Sequence, residues 1–483
     1  MSPPADEPPP QAGSLPKGRL ARSARVGGLV TGQALRWAGM RTANRMRTPE
    51  RAAAAQDQRT AALVTQLVHE LAQMRGAAMK VGQMLSIVEF DGLPEAQRDE
   101  LQRTLAALRD DVPPVPFKRL EKLMRRELGV PLARVFSDFD EHAFAAASIG
   151  QVHRATTRDG DEVAVKVQYP GVAEAVEADL RNAIMLAPLI KRLAPGLDVG
   201  ALAQELRERI AEELDYELEA HNQRRIERLL RRHPFVRVPH VYSELSTTRV
   251  LVSEYVDGLR FESVRKLDQA QRDRYGEIVL RFFFGLLYRD RIALGDPHPG
   301  NYLLCPDGRV CFMDYGLLRE IDADRLAQER AIAQAVRGRD AAALKRALTI
   351  GGYLPAERAG AVQDEFALGL VVRATKWYAV PGERRLSPER ARRGRERARA
   401  DGEQRAAFRA QLHQFALPPD ALLIRRMHGI VAVVLTQLRA TGNWGAIAAE
   451  YLHGEPPATV LGDADARFHG RRAGAHATAA GNP

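Results

Sequence analysis

The most regular pattern of apolar and polar positions in this chain lies in residues 162–168, where valine occupies every second position. Alternation with a period of two predicts a β-strand with one face in a core. Residues 144–155 predict a strand, a loop of small residues and a second strand, and residues 156–161 predict the turn that leads to the valine strand. The first third of the chain is therefore expected to contain a β-sheet.

Two short apolar runs, residues 302–305 and 310–313, surround an Asp-Gly turn. This arrangement predicts a β-hairpin. The hairpin would bring Asn301, before its first strand, close to Asp314, after its second. The alternative is a turn-rich loop in which these side chains only cap the backbone.

Helical patterns occupy the segments around these strands. Residues 171–211 are rich in Ala, Leu, Glu and Arg, with a break at residues 194–196, and predict two helices. Residues 56–85 also predict a helix. Its apolar positions at helical spacing are Leu63, Leu67, Leu71, Met74 and Ala78.

The strongest chemical signal comes from Asp296, Asn301 and Asp314. An Asp, an Asn five residues later, a short hairpin and then Asp-Tyr-Gly is the spacing in which kinase-like enzymes place a catalytic Asp and two Mg²⁺ ligands. Phosphoryl transfer requires hard oxygen ligands that hold Mg²⁺ against the phosphates. We therefore expect Asp296 to be catalytic, and Asn301 and Asp314 to bind the metal.

The valine strand contains Lys166 in the sequence Val-Ala-Val-Lys, the form of the lysine that pairs the α- and β-phosphates in kinases. The alternative is a half-exposed strand with Lys166 in water. The loop before it differs from the glycine-rich loop of ordinary kinases. Its small residues still allow a phosphate to approach the backbone, but alanine restricts φ, so we expect a stiffer loop and changed nucleotide geometry or selectivity. The expected nucleotide-binding residues of this loop are Ala145, Ala146, Ala147, Ser148, Ile149 and Gly150.

Four segments of the chain resemble the UbiB family of atypical kinases, also called AarF-domain kinases. They are residues 75–86, 145–155, 163–170 and 295–301. The resemblance continues in order over most of the chain. A Lys-x-Gly-Gln motif, here residues 80–83, together with an Ala-rich loop is specific to that family among kinase-like proteins.

The resemblance implies an α+β, bilobal protein-kinase-like fold. It would have a small β-containing lobe, a helical large lobe and an N-terminal helical extension that carries Lys-x-Gly-Gln. ATP or ADP with Mg²⁺ is the implied cofactor. Glu213 and Asp215 match the family's Glu-x-Asp motif, and Glu213 is our first choice for the ion pair with Lys166. Glu219, six residues later, is the alternative.

The same resemblance places Lys80 and Gln83 over the active site, where the extension would occlude a protein substrate and where Asp215 and Glu219 would be nearby. From the residues alone, Lys80 and Gln83 are better explained as a solvated helix end. Gly82 would allow a close helix approach that offsets the ~1 kcal/mol cost of glycine within a helix.

The expected organisation has five parts. They are a disordered basic arm (1–50), the helical extension (51–113), a kinase-like small lobe with a helical insertion (114–256), a kinase-like large lobe (257–455) and a disordered tail (456–483). The strand at residues 250–256 resembles the kinase hinge, so Glu254 and Val256 are expected to meet adenine.

Composition adds limits on partners. The chain has 483 residues, 45% of them apolar, and a net charge of +10. Residues 17–48 contain basic, apolar and Trp residues but no acidic residue, which favours peripheral contact with an anionic membrane; a solvated arm or a nonspecific nucleic-acid tail is the alternative. Residues 383–409 mix arginine with acidic residues and lack the aromatic residues that stack bases, so no nucleic-acid partner is expected.

Two cysteines exclude a disulfide scaffold, and without a His partner at ligand spacing they argue against zinc. The N-terminus lacks the apolar core of a signal peptide. The most apolar window, residues 421–438, contains Arg425 and Arg426, so no transmembrane helix is expected. These features predict a cytoplasmic protein, with peripheral contact at the inner membrane face.

Two functions fit these observations. The first is an Mg-ATP-dependent ATPase or small-molecule kinase that supports isoprenoid-quinone or lipid metabolism, with a lipid or quinone precursor as partner, as the resemblance implies. The second is a nucleotide-gated lipid- or protein-binding module with little turnover. The presence of Lys166, Asp296, Asn301 and Asp314 together favours the first. A kinase akin to aminoglycoside phosphotransferases is disfavoured by residues 80–83.

Overall fold

The computed structural model describes residues 115–147, 149–185, 207, 211–295, 297–389 and 411–480. The chain divides into two compact units. Of the described residues, the first unit holds 115–123, 142–147, 149–152, 167–185, 207 and 211–214, and the second unit holds the others. The predicted basic arm and the helical extension lie outside the described residues.

The elements up to residue 260 are α1 (Phe117–Leu128), α2 (Leu132–Val135), β1 (Phe136–Phe139), β2 (Ala145–Ala147), β3 (Gly150–Thr157), β4 (Glu162–Gln168), α3 (Val172–Met185), α4 (Tyr216–Leu230), β5 (Val236–Arg237), β6 (Val250–Glu254) and β7 (Leu259–Arg260). The elements that follow are α5 (Phe261–Val264), α6 (Gln269–Tyr288), β8 (Ile292–Leu294), β9 (Tyr302–Leu304), β10 (Val310–Phe312), β11 (Leu318–Glu320), α7 (Ala323–Gly338), α8 (Ala341–Ile350), α9 (Asp364–Ala379), β12 (Arg384–Arg385), α10 (Pro419–Leu438), β13 (Thr441–Gly442), α11 (Trp444–Leu452) and α12 (Val460–Ala480). Strands thus come first and helices dominate later, which confirms the α+β class.

The valine strand predicted from the sequence is β4. Val163, Val165 and Val167 are fully buried, and each contributes about 1.5–3 kcal/mol by leaving water. The strand belongs to a five-stranded sheet in the order β1, β3, β4, β6, in which β2 also pairs with β3. Of the two helices predicted within residues 171–211, α3 is the first, and most residues of the second lie outside the described residues.

The predicted hairpin is formed by β9 and β10, which are antiparallel with Leu304 opposite Val310 and Tyr302 opposite Phe312. Gly308 in its turn has φ +79°, a left-handed conformation that glycine adopts without strain. The hairpin is the centre of a sheet in the order β5, β10, β9, β7. Asn301 and Asp314 therefore lie at adjacent strand ends.

Strands β8 and β11 pair antiparallel and hold two loops side by side. Leu294 is opposite Leu318, and the Gly295 N–H donates to the Leu317 carbonyl at 2.8 Å. A Cβ on Gly295 would lie 1.9 Å from the Leu317 side chain, so this position requires glycine. The segment that precedes residue 296 is thereby attached to the segment that follows Asp-Tyr-Gly.

The helical part of the chain is built around α6. It begins at Asp268, whose carboxylate accepts from the Gln271 N–H at 2.8 Å, and all residues of 278–288 are buried. A helix that is buried all round is a core helix. Phe282 stacks on Phe312 of the hairpin, with ring centroids 3.6 Å apart, so the same core supports the strands that carry the predicted metal site.

Among the described residues, α10 is the one helix that is long and apolar enough to cross a membrane, judged by length and composition. Half of its apolar window is buried within the protein. Its Arg425 donates to the Tyr353 hydroxyl at 2.8 Å and forms an ion pair with the buried Glu329. The core helix of a soluble protein passes the same test, so α10 is weak evidence for a span.

The prediction of a disordered tail from residue 456 is wrong, because α12 occupies most of that segment. Leu461, Asp465 and Phe468 recur at helical spacing and are buried. The Asp465 carboxylate accepts from the Arg289 guanidinium at 3.2 Å, and partners so distant in sequence could not be inferred from the tail's composition.

Substitution by alanine should have opposite effects on protein stability at two helix glycines, Gly445 and Gly429. A Cβ on Gly445 in α11 would lie 2.2 Å from the Val380 carbonyl oxygen, whereas a Cβ on Gly429 in α10 would meet nothing within 4 Å. We expect Gly445→Ala to destabilise the protein by about 1–3 kcal/mol. Gly429→Ala should stabilise it by about 0.5–1 kcal/mol, because glycine is the poorer helix former. Denaturant unfolding checks both, and equal effects would contradict this packing.

Candidate functional site

Lys166 on β4 and Glu219 on α4 form a close ion pair. The Lys166 ammonium donates to both carboxylate oxygens of Glu219, at 2.8 Å each. The side chain of Glu219 is 4% exposed and that of Lys166 is 25% exposed. The choice of Glu213 as the partner was wrong, and the alternative is the residue that the structure places there.

The reason for this correction is the position at which α4 begins. Asp215 is the N-cap, and its carboxylate accepts from the Leu218 N–H at 3.0 Å. Glu219 lies one turn inside the helix, on the face that is buried, whereas Glu213 precedes the cap and lies outside it. Asp215, which we had grouped with the occluding residues, thus has a structural role as a helix cap.

The environment of Lys166 favours its charged form. Burial by itself lowers the pKa of this ammonium, but the nearby carboxylates of Glu219 and Asp314 outweigh burial and raise the pKa above its ordinary value of 10.5. The ammonium also lies over the ring of Tyr216, 4.8 Å from its centroid. Tyr216 directly follows the Glu-x-Asp motif, but no sequence pattern indicates its contact with Lys166.

The hairpin brings together two of the predicted metal ligands. The Asn301 side-chain amide donates to Asp314 Oδ2 at 3.0 Å, and the Met313 N–H donates to the Asn301 carbonyl at 3.0 Å. Asp314 Oδ1 accepts from the Gly316 N–H at 3.0 Å. Two oxygen-bearing side chains this close can share one cation.

A short 3₁₀ turn, Pro299–Asn301, presents Asn301 to the hairpin. Nδ1 of His298 accepts from the Gly300 N–H at 3.1 Å and caps this turn. His298 thus orients the loop. Asp296, the expected catalytic residue, lies outside the described residues, between Gly295 and Pro297.

The expected phosphate-binding loop is shorter than the sequence suggested. Ala145, Ala146 and Ala147 form strand β2, with Ala147 opposite Gly150 at the start of β3. Ile149 is buried and its carbonyl accepts from the Tyr169 N–H at 2.9 Å. Ser148 lies outside the described residues. Small alanines allow the tight pairing of β2 with β3, and Ile149 lies in a turn directly before β3.

The segment that resembles a kinase hinge follows β6. The Glu254 N–H donates to the His240 carbonyl at 2.8 Å, and the Tyr255 N–H donates to the Glu162 carbonyl at 2.9 Å. The Glu254 carboxylate binds the Arg237 guanidinium. Val256 is buried. The N–H groups of Glu254 and Tyr255 are therefore used within the protein, so of the two positions expected to meet adenine, Glu254 and Val256, only Val256 could do so through its N–H.

Val256 packs against Cys305 and Cys311, which are buried free thiols. A hydrogen bond with Cys311 and the charge of Arg237 lower the pKa of Cys305 to about 7, while the pKa of Cys311 is raised. The two cysteines are thus small core residues that pack against the hinge residue Val256.

A second cluster of ionisable side chains, His233, Asp465 and His469, has ligand atoms within 4.8 Å of one another. Nδ1 of His233 accepts from the Val236 N–H at 3.2 Å, so its proton lies on Nε2, which donates to Asp465 at 3.0 Å. A metal on Nε2 would move that proton to Nδ1, against the Val236 N–H. We therefore assign the cluster to the attachment of α12 and not to metal binding.

The described site brings together the ammonium of Lys166, the buried carboxylate of Glu219 and the side-chain oxygens of Asn301 and Asp314. A Cβ built on Gly316 would lie 3.5 Å from Asp314 Oδ1 and 3.8 Å from Glu219 Oε2, which shows that these groups surround one point. Carboxylate and amide oxygens are the ligands that Mg²⁺ prefers, and a lysine beside them suits phosphate. The donor set fits an Mg²⁺-bound nucleotide.

Fold and site together define a protein-kinase-like class. The model of the ABC1 atypical kinase-like domain matches residues 107–348, half of the chain. The chain therefore belongs to the ABC1 atypical kinase-like family, in agreement with the resemblance to UbiB proteins.

Similar curated proteins include the rat mitochondrial atypical kinase COQ8B, 34% identical over 63% of this chain and 57% of that protein. The yeast mitochondrial atypical kinase COQ8 is 32% identical over 55% of this chain and 53% of its own length. The Arabidopsis chloroplastic protein ACTIVITY OF BC1 COMPLEX KINASE 1 is 35% identical over 52% of this chain and 37% of its length. The chain thus spans about half the length of the curated relatives that it matches.

Among solved structures, a Mycobacterium tuberculosis protein, Rv3197, determined with erythromycin, is similar to this chain. The TM-score is 0.59 at 29% identity, and the match covers 84% of this chain and 98% of the other. This likeness covers more of the chain than the segment that the family model matches.

Glu219→Gln should destabilise the protein, because it leaves the Lys166 ammonium without its carboxylate. We expect a loss of roughly 2–4 kcal/mol in the free energy of unfolding. Glu217→Gln, an exposed position on the same helix, should change it by less than about 0.5 kcal/mol. Denaturant unfolding of the three proteins measures both values.

The loss of stability caused by Glu219→Gln should be independent of pH in the neutral range. The folded-state pKa of Lys166 is raised, so the contribution of the pair is fully present below the ordinary pKa of 10.5 and is lost as the pH rises through the folded-state value. The stability difference between wild type and Glu219→Gln should be the same at pH 7 and pH 9. A larger loss from Glu213→Gln than from Glu219→Gln would contradict the assignment.

Proposed function

We propose that this protein binds Mg²⁺–ATP and either hydrolyses it or transfers its γ-phosphoryl group to a small molecule. The observation that carries the proposal is the Lys166–Glu219 ion pair beside the Asn301–Asp314 pair. A lysine held by a buried carboxylate and a metal-binding Asp are the two arrangements that must both be in place for phosphoryl transfer in kinase-like enzymes.

Each residue has a definable task. Lys166 would hold the α- and β-phosphates, and Glu219 would keep its ammonium charged and in place. Asn301 and Asp314 would hold Mg²⁺, which would supply positive charge that neutralises the phosphates. Asp296 would orient the acceptor hydroxyl or water, and Val256 would meet the adenine through its backbone.

The choice of acceptor depends on residues outside the described part of the chain. In the family that the chain resembles, Lys80 and Gln83 occlude the place where a protein substrate would bind. Hydrolysis, or transfer to a small molecule, is therefore preferred over protein phosphorylation. The names of the COQ8 relatives as atypical kinases agree with phosphoryl transfer, and the resemblance adds a role in isoprenoid-quinone metabolism.

The arm of residues 17–48 suggests the place of action. Its basic and apolar residues would bind an anionic membrane surface, where an isoprenoid lipid or quinone precursor would be found. We propose peripheral membrane contact through this arm. Binding of this kind should strengthen with the anionic lipid content and weaken with salt.

Asp314→Asn tests the proposed metal site. Replacing a charged ligand by a neutral one should weaken Mg²⁺–ATP binding by at least as much as loss of an outer-sphere partner, which costs about 10–100-fold. Titration with a fluorescent ATP analogue, with Mg²⁺ or with EDTA, measures this directly. Unchanged affinity in Mg²⁺ would refute the metal role of Asp314.

Phosphate release from Mg²⁺–ATP tests the activity. The full chain is assayed alone, with anionic vesicles and with a phenolic quinone-precursor mimic, and Asp314→Asn serves as the blank. We expect turnover that rises with vesicles or mimic and is absent from the variant. Nucleotide binding without turnover under every condition would reject catalysis and favour a nucleotide-gated binding module.

A further inference from the structure

Two neighbouring side chains on one face of α4 attach the helix to two different parts of the site. Glu219 and Asn222 lie three positions apart, so both project from the same side of the helix. Glu219 binds Lys166, as described above. The Asn222 amide donates to the backbone carbonyl of Tyr315 at 3.0 Å, and both residues are buried.

Tyr315 lies between the metal-binding Asp314 and Gly316, and its segment is fixed on several sides. The Tyr315 hydroxyl donates to the Phe312 carbonyl at 2.8 Å, and its ring is buried. Asp314 is held by Asn301 and by the Gly316 N–H. The hydrogen bond from Asn222 to the Tyr315 carbonyl also fixes the peptide between Tyr315 and Gly316.

The position of α4 is thereby linked both to Lys166 and to the segment that contains Asp314. A movement of the helix away from the sheet would break the Lys166–Glu219 pair and would also leave the Tyr315 carbonyl without its buried donor. An unsatisfied buried carbonyl costs about 1–3 kcal/mol, so the two contacts favour the same helix position.

We propose that Asn222 is a positioning residue that couples α4 to residues 314–316, the metal-binding loop. Asp314 then faces Asn301 when Glu219 holds Lys166. The inference rests on the proposed binding of Mg²⁺–nucleotide for its functional consequence. The coupling itself is a property of the protein without ligand and can be measured separately.

Gln223 provides a matched control on the same helix. Its side chain is as deeply buried as that of Asn222, and its amide donates to the Pro239 carbonyl at 2.8 Å. Pro239 is not part of the metal-binding loop. Loss of either amide removes one buried hydrogen bond to a backbone carbonyl. Only the loss at Asn222 should alter how Asp314 is held.

The experiment compares Asn222→Leu with Gln223→Met, each close in size to the residue that it replaces, in the full chain. Hydrogen exchange of the segment 313–318 is measured by mass spectrometry without nucleotide. We expect exchange about fivefold or more faster in Asn222→Leu and unchanged in Gln223→Met, although both variants should lower the melting temperature. Equal exchange rates in the two variants would overturn the coupling.

Binding of a fluorescent ATP analogue gives the functional test. Asn222→Leu should raise the Kd in Mg²⁺ by about fivefold or more and leave the Kd in EDTA unchanged, whereas Gln223→Met should alter neither. Equal losses of affinity in both variants, or no loss of affinity in Asn222→Leu, would show that Asn222 has a merely structural role. If the wild type binds no nucleotide, the proposed function fails, and the exchange rates still decide whether Asn222 couples the helix to the loop.

Discussion

The buried carboxylate of Glu219 is the constraint on which the site depends. A carboxylate that is 4% exposed is costly unless it is paired, and the Lys166 ammonium is its partner at 2.8 Å. Because Lys166 is on β4 and Glu219 is on α4, this pairing fixes a helix against a sheet. The same pairing holds a positive charge beside Asp314, the proposed metal ligand.

The remainder of the site follows from short-range structure that a buried core supports. The hairpin of β9 and β10 brings Asn301 to Asp314, and Phe282 of α6 stacks under the hairpin on Phe312. The chemistry is thus carried by loops, while the helix and strands beneath them keep the loops in place. This division is common where precise positioning is required.

Long-range contacts also hold the chain beyond the site. Gly295 lies against Leu317, so the loop that precedes residue 296 and the loop that follows Asp-Tyr-Gly are packed together. At the other end of the chain, Asp465 of α12 binds His233 and Arg289. The charged and apolar positions of α12 are too few to predict a packed helix by themselves, and these distant partners supply the reason for it.

The sequence by itself determined the elements whose signals are local. Alternating valines predicted β4, and an Asp-Gly turn between apolar runs predicted the hairpin that joins Asn301 to Asp314, because strand periodicity and turn chemistry need only a few adjacent residues. The partner of Lys166 was decided by the tertiary structure. Glu213 and Glu219 are similar in sequence context, and only the docking of α4 against β4, with the helix starting after Asp215, brings one carboxylate to the ammonium and leaves the other outside the helix.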